Sequence, residues 1–252
     1  MSFLEVDDLT IRFGDTLAVD RVSFAVGATE RLGIIGASGS GKSVTSLAIA
    51  GLLSETATLT GSITLDGQEL VGLRESEYRR LRGNRFSMIF QEPMTALDPT
   101  MRVGRQIAEV IALHAQRSGK RHTVEAELER VGIVDPARVA DSYPHQLSGG
   151  QRQRALIAMA IVNKPGLVIC DEPTTALDVL VQRQILDVLD EVLTDRAALF
   201  VSHDLAVVRE VCRNIIVMQE GRIVEAGDVD DVIASPSHPY TASLVEAAKG
   251  EL

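Results

Sequence analysis

Gly36-Ala37-Ser38-Gly39-Ser40-Gly41-Lys42-Ser43 decides how this chain is read. The octapeptide fits G-x-x-x-x-G-K-[ST], a loop that binds phosphate. Glycines at 36, 39 and 41 let the backbone curl tightly and bring its N–H groups against phosphate oxygens without side-chain clash. The positive end of a following helix adds to that field. Lys42 is placed to reach the β- and γ-phosphates of a nucleotide, and the Ser43 hydroxyl to ligate Mg2+. The competing reading is a flexible Gly/Ser turn, but in a chain of this length the pattern arises by chance on the order of once in a hundred. Its surroundings agree with phosphate binding. Arg31-Leu32-Gly33-Ile34-Ile35 reads as a short apolar strand leading in, and Val44, Leu47, Ala48 and Leu52 recur at helical spacing leading out.

Size and charge bound the rest. At 252 residues, 45% of them hydrophobic, the chain suits one large α/β domain or a domain with a subdomain. A net charge of −10 argues against a broad nucleic-acid surface, which needs clustered Lys and Arg. Arg79-Arg80-Leu81-Arg82 and Arg117-Ser118-Gly119-Lys120-Arg121 are short basic clusters that read as solvated helix faces and loops. Cys170 and Cys212 lie in apolar surroundings without metal-ligand spacing, so small buried thiols in a reducing compartment are expected. No apolar run reaches the ~18 residues of a membrane span, and no signal peptide is expected at the N-terminus.

Along the chain, Leu4-Glu5-Val6, Thr10-Ile11-Arg12-Phe13 and Val22-Ser23-Phe24-Ala25-Val26 read as strands broken by Gly14-Asp15 and Gly27-Ala28. Another strand, over residues 61–67, ends in the Asp66-Gly67 turn. The pattern over about 103–131 is helical, with Ile107, Val110, Ile111, Val124, Leu128 and Val131. A helix after Gly150 buries Ala155, Leu156, Ala158 and Met159. Leu167-Val168-Ile169-Cys170 is fully apolar, as in a parallel sheet covered on both faces. Ile185, Leu186, Val188 and Leu189 mark a helix, Ala198-Leu199-Phe200-Val201 the next strand, and residues 215–218 and 222–224 a hairpin.

Two acids close the apolar strand at 167–170. Asp171-Glu172 resembles the Walker B element, in which Asp171 helps hold Mg2+ and Glu172 orients and polarises an attacking water. Leu147-Ser148-Gly149-Gly150-Gln151 is the stretch that names a family. By itself it is a loop and helix start, with Ser148 as cap. As LSGGQ, downstream of a phosphate loop and upstream of Asp171, it resembles the signature of ATP-binding cassette (ABC) ATPases, and the resemblance covers nearly the whole chain.

The resemblance implies a P-loop NTPase of α/β class: a RecA-like, mostly parallel sheet, an N-terminal antiparallel β subdomain and an inserted α-helical subdomain. The implied divisions are 1–90 with 159–235 for the core and β subdomain, 91–158 for the helical subdomain, and 236–252 for a tail. ATP and Mg2+ are implied. Phe13 matches the aromatic that stacks on adenine, or else is a core strand residue. Gln91 matches the Q-loop glutamine that contacts Mg2+ and water. Ala176-Leu177-Asp178 matches the D-loop, and His203 the switch histidine at the γ-phosphate. His114, His122, His145 and His238 are expected as surface or hydrogen-bonded residues. The family pairs two cassettes head-to-tail, so Ser148, Gly149, Gly150, Gln151 and Asp178 serve a nucleotide held mainly by the partner's 36–43 loop.

Finer stretches resemble the ATPases of peptide/nickel importers: residues 90–99, Tyr143-Pro144-His145-Gln146, Leu177-Asp178-Val179 with Val181-Gln182, and Ser237-His238-Pro239-Tyr240-Thr241. Asp98 stands where Asn is commoner and Leu180 where Thr is commoner. The iron–sulfur feature found beyond the His-Pro-Tyr motif in some relatives is not expected. The implied function is the ATP-hydrolysing subunit of a bacterial importer for peptides, nickel or a metal chelate, peripheral on the cytoplasmic face of the membrane. Implied partners are a second cassette (a paralogue, or a second copy), permease subunits and, indirectly, an extracytoplasmic binding protein, with no nucleic acid. A cassette in a phosphonate-breakdown complex and an exporter subunit are the alternatives.

Overall fold

The computed structural model describes residues 2–91, 96–118, 122–175 and 177–248. It divides into two compact units, Met1–Arg80 with Asp195–Leu252, and Leu81–Thr194. The chain opens with strands β1 (Ser2–Phe13) and β2 (Thr16–Gly27). The short apolar pieces expected here are therefore two long strands. Asp7-Asp8 interrupts the apolar rhythm of β1, and the strand absorbs it as an irregularity between Val6 and Leu9, with Asp8 at φ 48°. That bulge keeps Leu4, Val6, Leu9 and Ile11 all buried.

Strand β3 (Arg31–Ile35) enters the glycine loop, and α1 (Lys42–Ile49) leaves it. The buried side of α1 is Thr45, Ser46, Ala48 and Ile49; Leu52 lies beyond the helix and is 40% exposed. Polar residues can line this face because they satisfy themselves. Thr45 Oγ1 donates to the Gly41 carbonyl at 2.9 Å, and Ser46 Oγ to that of Ser43 at 3.0 Å, so their burial costs little. Next come β4 (Ala57–Leu65), β5 (Gln68–Glu69) and α2 (Glu75–Leu81).

The second unit contains β6 (Phe86–Ile89), α3 (Val103–Ser118), α4 (Val124–Arg130), α5 (Pro136–Asp141), α6 (Gly149–Ile161), β7 (Leu167–Asp171) and α7 (Val179–Val192). The helical pattern read over 103–131 is thus two helices rather than one. Thr123 caps α4 by accepting from the Ala126 amide, which explains the restart. Strand β7 pairs parallel with β6, and its Leu167, Val168, Ile169 and Cys170 have no solvent exposure. In α6, Ala155, Leu156 and Ala158 are buried as expected, but Ile157 is buried where Met159 was expected.

The chain then returns to the first unit with β8 (Ala197–Ser202), α8 (Leu205–Val211), β9 (Asn214–Gln219), β10 (Arg222–Asp228), α9 (Val229–Ala234) and α10 (Pro239–Ala248). Here one sheet runs β2-β1-β4-β5, all antiparallel; in the other, β3 pairs parallel with β8 and β9, and β10 folds back antiparallel on β9. Helix α8 packs directly on β3. A Cβ on Gly33 would lie 2.2 Å from Val208 Cγ1, so only glycine admits the helix at this distance. Both cysteines are buried, and burial pushes the Cys212 thiol up to about 12.

Candidate functional site

In the first unit, the site is built where parallel strands end. Ile35 of β3 is the register partner of Ser202 of β8. The 36–43 loop and His203 therefore leave the same end of a strand pair, where ligands of open α/β sheets sit. His203 is exposed. The amide of Asp204 donates to Ser202 Oγ, and Asp204 Oδ1 caps α8 by accepting from the amides of Ala206 and Val207.

The loop is shaped from within and without. Gly36 stands at φ 155°, where a Cβ would lie 2.2 Å from the Met218 carbonyl oxygen, so backbone from β9 occupies the space a side chain needs. Gly39 and Gly41 also have positive φ, and Gly41 takes the left-handed conformation that starts α1. Lys42 is buried, and its ammonium curls back to the carbonyls of Gly36 at 2.7 Å and Ala37 at 3.0 Å. Its charge thus stands within the curl of the loop. Ser40 is buried, and its carbonyl accepts from the Gly221 amide in the β9–β10 turn. Ala37 and Ser38 are exposed, as a loop that meets a ligand requires. Ser43 is half-buried in the first turn of α1. Phe13 is half-buried at the end of β1, opposite Thr16 and Ala57.

In the second unit, the same construction repeats. Ile89 of β6 is the register partner of Cys170 of β7, so Gln91 and the Asp171-Glu172 pair leave one end of a parallel pair. The structure joins two of these residues directly. Gln91 Nε2 donates to Glu172 Oε2 at 3.2 Å, and Thr175 Oγ1 donates to the same oxygen at 2.7 Å. Glu172 holds a left-handed backbone, φ 48°, unusual for a residue with a side chain and a form of strain that accumulates at functional sites. Asp171 is buried at the strand end. Residues 92–95 of the Q-loop stretch lie outside the described residues.

Ser148 caps α6. Its Oγ accepts from the Gln151 amide at 3.3 Å, while Gln151 Oε1 accepts from the Ser148 amide at 3.2 Å. Gly149 and Gly150 begin the helix. A Cβ on Gly150 would meet Val181 Cγ1 at 2.7 Å, so glycine is needed for α6 and α7 to start side by side. Asp178 caps α7 by accepting from the Val181 amide at 3.0 Å. Gln151 and Asp178 thus have helix-capping roles of their own. Ala176 of the D-loop lies outside the described residues, as do Gly119, Lys120, Arg121 and the His114 side chain. His122 bonds Glu127 at 2.6 Å, and His145 stacks on Tyr143.

Sequence reasoning missed two residues. Thr175 has a local signal, since it follows Glu172 by one turn. Tyr240 has none. Its hydroxyl accepts the Ala37 amide at 2.6 Å from 203 positions away.

A glycine loop between a parallel strand and a helix, with acids at a second strand end, defines a P-loop nucleotide hydrolase. The sequence profile of the ABC transporter family matches residues 19–175. The dipeptide transport ATP-binding protein DppD of Escherichia coli is 47% identical over 98% of this chain and 78% of its own length. The oligopeptide transport protein OppD of the same organism is 44% identical over 98% of this chain and 75% of its own. Among solved structures, an ATP-binding cassette in a dimeric post-hydrolysis state with ADP and Pi aligns with TM-score 0.75 at 25% identity, covering 90% of this chain and 98% of that one. Another, cbiO1 of Clostridium perfringens, part of the cbiONQ transporter complex, aligns with TM-score 0.77 at 25% identity over 100% of this chain and 96% of its own. The chain belongs to the ABC transporter family. It is an ATP-binding subunit with the P-loop NTPase fold, and an ATPase. Among the described residues no helix is long and apolar enough to cross a membrane.

Proposed function

We propose that this chain is the ATPase of a peptide importer, bound peripherally to permease subunits on the cytoplasmic face. The observation that carries the substrate class is the extent of its likeness to DppD and OppD, which are dipeptide and oligopeptide transport proteins and match almost the whole chain. The site supports turnover rather than mere nucleotide sensing. Glu172 has a carboxylate oxygen positioned by Gln91 and Thr175, as a group that orients water needs.

In this reading Phe13 stacks on adenine, and the amides of 36–43 with Lys42 hold the phosphates. His203 meets the γ-phosphate. Gln91 orients the water that Glu172 polarises. Ser148, Gly149, Gly150, Gln151 and Asp178 complete the site of a paralogous second cassette. The 91–158 segment receives the permease's coupling helix. Ser43, Asp171 and Gln91 offer only oxygen donors, which suits Mg2+; when bound, that ion neutralises charge developing on the phosphates. An extracytoplasmic binding protein supplies the substrate.

The test is purification of the assembled transporter with its permeases in lipid, with ATP turnover measured as peptide-loaded binding protein is added. Peptide-dependent stimulation that Lys42→Ala abolishes is the expected result. No response to any peptide library, or co-purification with phosphonate-degrading enzymes in place of permeases, overturns the assignment.

A further inference from the structure

The Ser237-His238-Pro239-Tyr240-Thr241 segment has so far served only as a mark of resemblance. In the structure it opens α10, and the backbone amides of Ser237, His238 and Tyr240 are held by side chains. Glu225 of β10 accepts the amides of Ser237 at 2.7 Å and His238 at 3.0 Å. The ring Nδ1 of His238 accepts the Tyr240 amide at 3.2 Å, and Ser243 Oγ donates to the Tyr240 carbonyl at 2.7 Å. Thr241 has no solvent exposure. Together these contacts fix the point at which the Tyr240 side chain leaves the helix.

That side chain ends on the phosphate loop. Its hydroxyl oxygen accepts the Ala37 amide at 2.6 Å. The carbonyl of Ala37 accepts from Lys42 Nζ at 3.0 Å. One residue of the loop is therefore held through its N–H by α10 and through its C=O by the lysine.

We infer that Tyr240 is a positioning residue of the phosphate loop, holding its Ala37 limb in the shape that receives ATP. The inference rests on the reading of 36–43 as the phosphate cradle. Glycines at 36, 39 and 41 make the loop permissive, so its shape has to be imposed from outside. Gly221 supplies one external bond, to the Ser40 carbonyl, and Tyr240 supplies another at the loop's opposite end. A cradle that populates its competent shape only part of the time loses affinity by that fraction.

Tyr240→Phe in the full-length chain removes the acceptor and keeps the ring. One ordinary hydrogen bond shifts such an equilibrium by about 2- to 10-fold. The expected result is a rise of that size in Kd for trinitrophenyl-ATP and in KM for ATP. kcat stays within about twofold, and the Ala37 amide exchanges its hydrogen correspondingly faster. The exchange measurement matters because a merely structural loss elsewhere leaves the Ala37 amide protected. Lys42→Ala is the control. If it binds nucleotide like wild type, the phosphate-cradle reading itself fails. If Lys42→Ala loses binding while Tyr240→Phe changes neither affinity nor Ala37 exchange, the assignment of Tyr240 alone is overturned. A fall in kcat at constant KM also overturns it.

Discussion

Glu172→Gln separates the chemistry of the second strand end from its architecture. The substitution keeps side-chain length and one acceptor oxygen, so Gln91 and Thr175 retain a partner where Glu172 Oε2 stands. What changes is charge. Two charge-assisted bonds become neutral ones, each weaker by about 1 kcal/mol where fully buried. Glu172 is half-exposed, and solvent screening brings the sum to about 1 kcal/mol. For a chain of this size that moves Tm by about 2–4 °C. The effect on rate is much larger. Loss of a positioned general base costs about 100- to 10,000-fold, or roughly 3–5 kcal/mol of barrier. We therefore predict a folded protein that binds ATP with near-native affinity and nearly fails to hydrolyse it. Phosphate release, fluorescent-nucleotide titration and thermal melting on one preparation read all three quantities. Turnover within threefold of wild type would refute the base assignment. A collapse of Tm by ten degrees or more, on the order of several kcal/mol, would refute the claim that the geometry survives. Glu172→Asn sharpens the test. Asparagine tolerates the left-handed backbone observed at 172, and its side chain is shorter. It should melt no lower than Glu172→Gln while being equally inactive, as expected if strain is held there for function.

Three further outcomes follow from particular contacts. Ser148→Ala removes the acceptor for the Gln151 amide at the start of α6, and should lower Tm by about 2–4 °C for a cap worth about 1 kcal/mol; an unchanged melt counts against the cap. Gly33→Ala drives a methyl to 2.2 Å from Val208 Cγ1 and should destabilise by about 1–3 kcal/mol in denaturant titration, with Val208→Ala relieving part of the loss; equal stability of single and double variants contradicts the direct clash. Burial alone pushes the Glu225 carboxyl up, but hydrogen bonds led by the Ser237 amide outweigh it and the group lies below its ordinary 4.5. The stabilisation is therefore present above pH 4.5 and lost as pH falls through the lower folded value. The stability gap between wild type and Glu225→Gln should be level from pH 7 to 5 and shrink below about 4.5, and a gap that widens on acidification inverts the sign.

Much of the candidate site is proposed from the sequence because its motifs are local. The residues of 36–43, Ser148 with Gln151, and Asp171-Glu172 each carry their meaning within a few positions, as loops, caps and strand ends do. The fully apolar 167–170 segment announced a covered parallel strand for the same reason: burial on both faces leaves no alternation to obscure it. The buried face of α1 was not legible. Thr45 and Ser46 satisfy their hydroxyls on their own helix, and Leu52 falls past its end, so apolar spacing alone does not mark that face. Nor did the apolar rhythm of β1 survive Asp7-Asp8 in the sequence, although a bulge restores it in the fold.

The sequence carried the fold class and the family through motifs that resemble those of ABC ATPases, and it named candidate groups for phosphate transfer, because each motif is a short contiguous stretch. Tertiary structure alone decided what those groups touch. It put Gln91 on Glu172 from 81 positions away and brought Tyr240 onto Ala37 from 203. Such contacts depend on where parallel strands end and how helices return to them, and hydrogen bonds between distant residues leave no periodic trace in a chain.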